Sequence, residues 1–163
     1  MHVLGIDPGT AITGYAVVEE GAAGLRLIAL GVIQTPAKTP LPQRLQQIYR
    51  ELREIVDTYQ PEASAVEQLF FSRNTRTAMA VGHARGVTLL ALADAGLAIA
   101  EYTPLQVKQA VTGQGRAAKR QVQEMVRVLL NLPEIPRPDD AADAAAVAIC
   151  YLHRVRLDSL LEE

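Results

Sequence analysis

Hydrophobic positions along the chain change period several times, and each change marks an element. Residues 2–7 form a short apolar run, and residues 13–19 alternate around Tyr15, Val17 and Glu19 after a Pro-Gly-Thr turn, which predicts two strands joined by a loop. Gly21-Ala-Ala-Gly24 leads into a third strand at 25–34. Connections this short make an antiparallel meander. From Leu41 the period becomes helical, with Leu45, Ile48, Leu52, Ile55, Val56 and Tyr59 on one face, until Gln60-Pro61 ends it. Residues 63–67 then fit a buried strand parallel to the first, reached by a helical crossover. A long helix is predicted over 74–94, stopped by Gly96, with Gly82 and Gly86 giving one face room for close backbone approach. A fifth strand at 98–102, a short helix at 104–112, a Gly113-Gln-Gly115 loop, and helices at 117–131 and 139–155 complete the chain. Three prolines make 132–138 an extended connector. The expected fold class is α/β: a five-stranded mixed sheet, a three-strand antiparallel meander plus two parallel strands, flanked by helices, with the first and fourth strands adjacent at its centre.

Composition narrows the class. At 163 residues, 49% hydrophobic and 21% charged, the chain reads as a single globular domain spanning 1–163 and excludes a fibre or a disordered polymer. One cysteine, Cys150, sits among apolar neighbours, which suggests a buried thiol in a reducing compartment. The N-terminal residues carry no basic flank and Asp7 interrupts their apolar run, so neither a signal peptide nor a membrane span is expected. A cytoplasmic location follows as the expectation. The net charge of −2 conceals a division: residues 1–71 carry −3, residues 72–127 carry +5 and residues 128–163 carry −4. A protein that meets polyanions through its basic groups and holds cations with its acids has this distribution.

Candidate chemistry gathers at strand ends. Asp7 closes the first strand and Glu67 the fourth. In parallel neighbours both carboxylates emerge at one end of the sheet, about 5 Å apart, where sites form in α/β sheets. Asp140 and Asp143, three apart at the start of the last helix, share a face surrounded by alanines. Each pair of such charges brought to about 4 Å costs on the order of 4 kcal/mol at an effective dielectric near 20. A cation is therefore required, and all-oxygen ligation without His or Cys suits Mg²⁺ or Mn²⁺. Each acid alone has an ordinary explanation as a turn, a cap or an ion-pair partner; their combination in one small chain does not. Asp139 adds a further acid, either a cap or a stray ligand. Arg73, Arg76, Lys108, Arg116, Lys119 and Arg120 cluster at predicted loops and helix starts, where cations and free N–H groups meet phosphates. Phe70 and Phe71, the two phenylalanines of the chain, fall just after Glu67 in a predicted loop, suited to stacking on bases or to opening a base step. His2, His83 and His153 have no ligand partners in sequence and are taken as structural or exposed.

Gly5-Ile-Asp7-Pro-Gly9, Glu67-Gln68, Thr103-Pro104 with Val107-Lys108, Gly113 to Lys119 with Gln121-Val122, and Asp140-Ala-Ala-Asp143-Ala together resemble the RuvC-type Holliday junction resolvases, in order and over essentially the whole length. The resemblance implies a ribonuclease H-like fold, a homodimer, and Mg²⁺-dependent symmetric nicking of four-way DNA junctions in recombination and repair. It implies catalytic, metal-holding acids Asp7, Glu67, Asp140 and Asp143, basic residues Lys108 and Lys119 near the scissile strand, and Phe70 at the junction centre. Two ions per site would serve a two-metal hydrolysis with Asp7 bridging them and Lys119 neutralising charge on the phosphate. Branch-migration proteins RuvA and RuvB are the partners it implies. Three alternatives stand beside it: an architectural junction binder without catalysis, an RNA-processing nuclease of the same fold, and an ATP-binding domain of the actin, Hsp70 or sugar-kinase type, whose phosphate loop Gly5-Ile-Asp7-Pro-Gly9-Thr10 also resembles.

Overall fold

The computed structural model describes residues 1–68 and 75–162. Their elements run β1 (His2–Asp7), β2 (Ile12–Gly21), β3 (Gly24–Gln34), α1 (Leu41–Tyr59), β4 (Ala63–Glu67), α2 (Thr75–Asp94), β5 (Ala98–Tyr102), α3 (Pro104–Thr112), α4 (Lys119–Leu129) and α5 (Asp139–Leu161). The sheet order is β3-β2-β1-β4-β5. β1–β2 and β2–β3 are antiparallel, while β1–β4 and β4–β5 are parallel. The meander, the crossover and the central β1–β4 pair are those the periodicity predicts, in a ribonuclease H-like arrangement.

Alternation along the strands divides the core between the two faces of the sheet. Leu4, Ile6, Val17 and Val66 point to one side and pack with Ile48 and Leu52 of α1 and Leu92 of α2. Val3, Ala16, Val18 and Ala65 point to the other, against α5, α3 and α4. Of the stretch 141–152 in α5, all but Asp143 and Tyr151 are buried. A helix buried on nearly every side has no amphipathic stripe, and its alanines let it approach closely. Gly5 of β1 and Gly14 of β2 complete that approach: a methyl group at Gly5 would overlap the Ala144 carbonyl, and one at Gly14 would overlap the Asp140 carbonyl.

Three differences from the expected elements have physical reasons. Within the chain the glycines that admit a neighbouring backbone are Gly5 and Gly14, whereas a Cβ at Gly82 or Gly86 would meet nothing among the described residues, so the room expected on that face of α2 is not filled by any of them. α4 begins at Lys119 because Ala118 is extended, with φ −67° and ψ 151°. α5 continues to Leu161, past the core, where Leu157, Leu160 and Leu161 are exposed; leucine and arginine sustain a helix without burial.

Candidate active site

Parallel pairing of Ile6 with Val66 brings the next residues, Asp7 and Glu67, side by side at the carboxyl end of the two central strands. Their side chains are close enough for each to act on the other's ionisation. Asp7 is buried, with 8% of its surface exposed. The loop after it is pinned at several points: the Thr10 hydroxyl donates to the Ala80 carbonyl at 2.5 Å, the Thr35 hydroxyl donates to the Thr10 carbonyl at 2.6 Å, and Thr13 Oγ1 donates to the Gly9 carbonyl at 2.7 Å. Asp7 thus leaves a rigid strand and enters a rigid loop.

The first turns of α5 supply the opposing wall. Its N-cap is Pro138, with no side-chain cap, so neither Asp139 nor Asp140 serves as the cap that a helix-start aspartate suggests. Asp140 and Asp143 join Asp7 and Glu67 in lining an open cleft of about 390 Å³. Lys108 of α3, Lys119 of α4 and Pro104 line the same cleft. Thr103 fixes the start of α3 through a reciprocal capping box with Gln106, which sets the helix that carries Lys108. Among the described residues no three His, Cys, Asp or Glu side chains close on one point as a cage would; the four acids line a mouth.

Charge in this mouth is unbalanced. Burial, and then the neighbouring charges of Glu67, Asp143 and Asp140, push the Asp7 carboxyl up to about 8, against a smaller opposing pull from Lys119. Burial and Asp143 likewise push Glu67 up to about 7, although its interaction with the Asp7 carboxyl and the charges of Lys108 and Lys119 work the other way. Asp143 is also raised, first by burial, with Lys119 opposing. Carboxylates held above their ordinary range by desolvation and mutual repulsion mark a site built for a positive guest. Lys119 offers part of that charge: burial lowers its pKa, but the carboxylates of Asp143, Asp139 and Asp140 outweigh burial and raise it. Its Nζ lies 3.7 Å from Asp143 Oδ2 and 3.4 Å from Asp139 Oδ2.

The remaining sequence candidates spread outward. Arg116 is exposed in the loop before α4. Arg120 does not line the acidic cleft; it lines another of about 380 Å³ with Arg127, Arg137, Glu124 and Glu134. Arg76, near the start of α2, borders a mainly apolar cleft with Thr10, Met79 and His83. Phe70, Phe71 and Arg73 lie outside the described residues. Neither His2 nor His153 lines the acidic cleft: His2 Nε2 bonds Glu19, and His153 Nδ1 lies 2.9 Å from the Ala110 carbonyl. One residue that sequence reasoning missed is Arg85 of α2. Its guanidinium donates to the main-chain oxygen of Glu67 at 2.9 Å and pairs with Glu101 of β5, tying down the strand end that carries Glu67. In sequence it is one positive charge among many, without a local pattern to mark it.

Residues 3–151 match the family described as crossover junction endodeoxyribonuclease RuvC. The RuvC of Syntrophomonas wolfei is 56% identical over 162 residues, covering 99% of this chain and 94% of that protein. The RuvC of Heliobacterium modesticaldum is 60% identical over 153 residues, covering 94% of each. In structure the chain is similar to Thermus thermophilus RuvC in complex with a Holliday junction substrate, with a TM-score of 0.92 and 42% identity over 97% of this chain and 96% of that one. The yeast mitochondrial Holliday junction resolvase Ydc2 shares the fold, at a TM-score of 0.70 and 14% identity over 96% of this chain and 82% of that one. Neither the ATP-binding nor the architectural alternative is favoured by these similarities. With a family match across both central strands and the acids of α5, and relatives alike over nearly their whole length, the chain belongs to the RuvC family of crossover junction endodeoxyribonucleases.

Proposed function

We propose that this chain, as a single domain over 1–163, resolves four-way DNA junctions by paired symmetric nicks, with Mg²⁺ as its cofactor, in recombination and repair. The observation that carries the reading is the convergence of Asp7, Glu67, Asp140 and Asp143, from three separate segments, on one open cleft flanked by Lys108 and Lys119. The family is one of divalent-metal nucleases, and the donors fit: they are all carboxylate oxygens, and burial and neighbouring charge raise the pKa values of Asp7, Glu67 and Asp143. Asp7 with Glu67 would hold one ion and Asp7 with Asp140 and Asp143 a second; Mn²⁺ shares the same oxygen preference. Such ions supply an activated water and stabilise the leaving 3′ oxygen.

The chain's own residues do the rest. β1 and β4 keep the two strand-end acids in register, and the glycine contacts hold the start of α5, with Asp140 and Asp143, close to the same end of the sheet. Lys119, beside Asp143, offsets charge that accumulates on the phosphate, and Lys108 does the same from α3. Arg116, Arg76, Arg120 and Arg73 would meet backbone phosphates of the junction arms, contacts that set register without reading bases. Phe70 and Phe71 would wedge against bases at the junction centre. Thermus thermophilus RuvC, 42% identical, has been captured on a Holliday junction, which supports the substrate.

Symmetric nicks call for a homodimer. The exposed side of α2, with Met79 and Leu90 more than half exposed and no described residue above Gly82 and Gly86, supports a second copy there. RuvA and RuvB are the proposed branch-migration partners. No helix among the described residues is long and apolar enough to cross a membrane, and the proposed location is the cytoplasm. The test is incubation with a synthetic four-way junction, with and without Mg²⁺. Paired metal-dependent nicks are expected; retention of the junction without nicking, preference for a competing RNA duplex, or turnover of ATP would each overturn the reading.

A further inference from the structure

Asp139 stands one residue before the acids that line the cleft, and its carboxylate is not among the lining groups. It does not cap its own helix. Both of its oxygens reach across to α4: Oδ1 accepts from Gln123 Nε2 at 3.1 Å, and Oδ2 lies 3.4 Å from Lys119 Nζ. Lys119 and Gln123 are four apart and therefore stacked on one face of α4, so a single carboxylate grips two successive turns. Lys119 is also the first residue of α4, the end of a helix where unpaired N–H groups and the dipole disfavour a cation. An opposing anion is needed to keep a long, mobile ammonium there. Two are present, Asp139 and Asp143. Asp143 faces the cleft, where its carboxylate has work of its own. Among the described residues, Asp139 is then the anion left to Lys119.

We propose that Asp139 is a positioning residue: it holds the Lys119 ammonium at the wall of the cleft, aimed at the scissile phosphate, and takes no part in metal binding or in the reaction itself. This rests on the part assigned above to Lys119. Loss of the tether frees the lysine chain to sample solvent, and a charge displaced by an ångström or more loses much of its effect on a transition state. The pair is exposed, with side chains 58% and 64% accessible, so the same loss leaves the fold intact.

The test compares Asp139→Asn, Asp139→Glu, Lys119→Ala and the double variant Lys119→Ala/Asp139→Asn in Mg²⁺-dependent cleavage of a synthetic four-way junction. Asn keeps the oxygen that Gln123 uses and removes the charge that Lys119 uses. Expected are a fall in kcat of roughly 5- to 20-fold for Asp139→Asn, with KM, Mg²⁺ requirement and Tm unchanged, and recovery of most of the lost rate in Asp139→Glu. In the Lys119→Ala background the Asp139→Asn change should have no further effect. In the metal-free protein, acetylation of Lys119 followed by mass spectrometry should be faster in Asp139→Asn than in the parent. A slow Lys119→Ala beside a fully active Asp139→Asn refutes the positioning role alone. A further loss in the double variant, or a raised Mg²⁺ requirement in Asp139→Asn, makes Asp139 a direct participant and overturns the proposal. Full activity of Lys119→Ala removes the assigned part of Lys119 and the tether with it.

Discussion

Replacing Asp7 with Asn should abolish cleavage and at the same time stabilise the metal-free protein. The carboxyl is lifted from an ordinary 3.8 to about 8, chiefly by burial and then by Glu67, Asp143 and Asp140. Because the folded value lies above the unfolded one, the native state holds a proton that the unfolded chain releases between those limits. Stability from this group therefore falls as pH rises from about 4 to about 8 and is at its lowest above 8. At about 1.4 kcal/mol per pH unit, the full penalty is at most about 6 kcal/mol; screening by water in the open cleft makes about 3 kcal/mol a working expectation. An uncharged Asn escapes the penalty and, for a domain of this size, about 3 kcal/mol corresponds to a rise of roughly 6–12 °C in Tm. Melting curves in EDTA at pH 8 and pH 5 test this, with the gain expected to be larger at pH 8. Added Mg²⁺ should then raise the Tm of the parent and leave Asp7→Asn nearly unmoved, since a ligand stabilises only the form that binds it. A variant that melts at or below the parent at pH 8, or a difference that does not grow between pH 5 and pH 8, would refute the argument that uncompensated charge at Asp7 strains the apo fold.

Lys119→Ala should slow cleavage at least tenfold and reduce the slope of log affinity against log salt for the junction by about 0.9, one phosphate contact; an unchanged slope in a binding titration removes it from the interface. Gly14→Ala forces a methyl group onto the Asp140 carbonyl, and should cost about 2–3 kcal/mol by urea denaturation together with most of the activity; a fully active, equally stable variant means that α5 does not sit as described. Arg85→Met frees the Glu67 end of β4, so a severalfold higher Mg²⁺ concentration for half-maximal cleavage is expected, and an unaltered Mg²⁺ requirement counts against that link.

The strands and the acids were legible for one reason: each is a local pattern. Asp7 and Glu67 follow apolar runs whose lengths define their strands, and the parallel register between Ile6 and Val66 follows from a helical crossover that the 41–59 periodicity announces. Asp140 and Asp143 share a face by spacing alone. What stayed hidden depends on partners far along the chain. Gly5 and Gly14 look like ordinary small residues in strands until α5, more than 120 residues later, is laid on them. Asp139 at a helix start reads as a cap, yet its partners lie on another helix. Arg85 acts on a main-chain oxygen, an acceptor every residue possesses, so no side-chain type betrays the contact.

The alanine floor of α5 has an evolutionary corollary. Asp140 and Asp143 ride on the helix whose neighbouring residues, Ala141, Ala142, Ala144 and Ala145, are buried, so these cleft-lining acids have no loop to insulate them from changes in packing. Lineages adapting this protein to heat or cold by enlarging or trimming that interior would shift the acids in the same stroke. Thermal tolerance and cutting rate would then be inherited as linked traits, and variation should accumulate in the exposed turns beyond Leu152 instead.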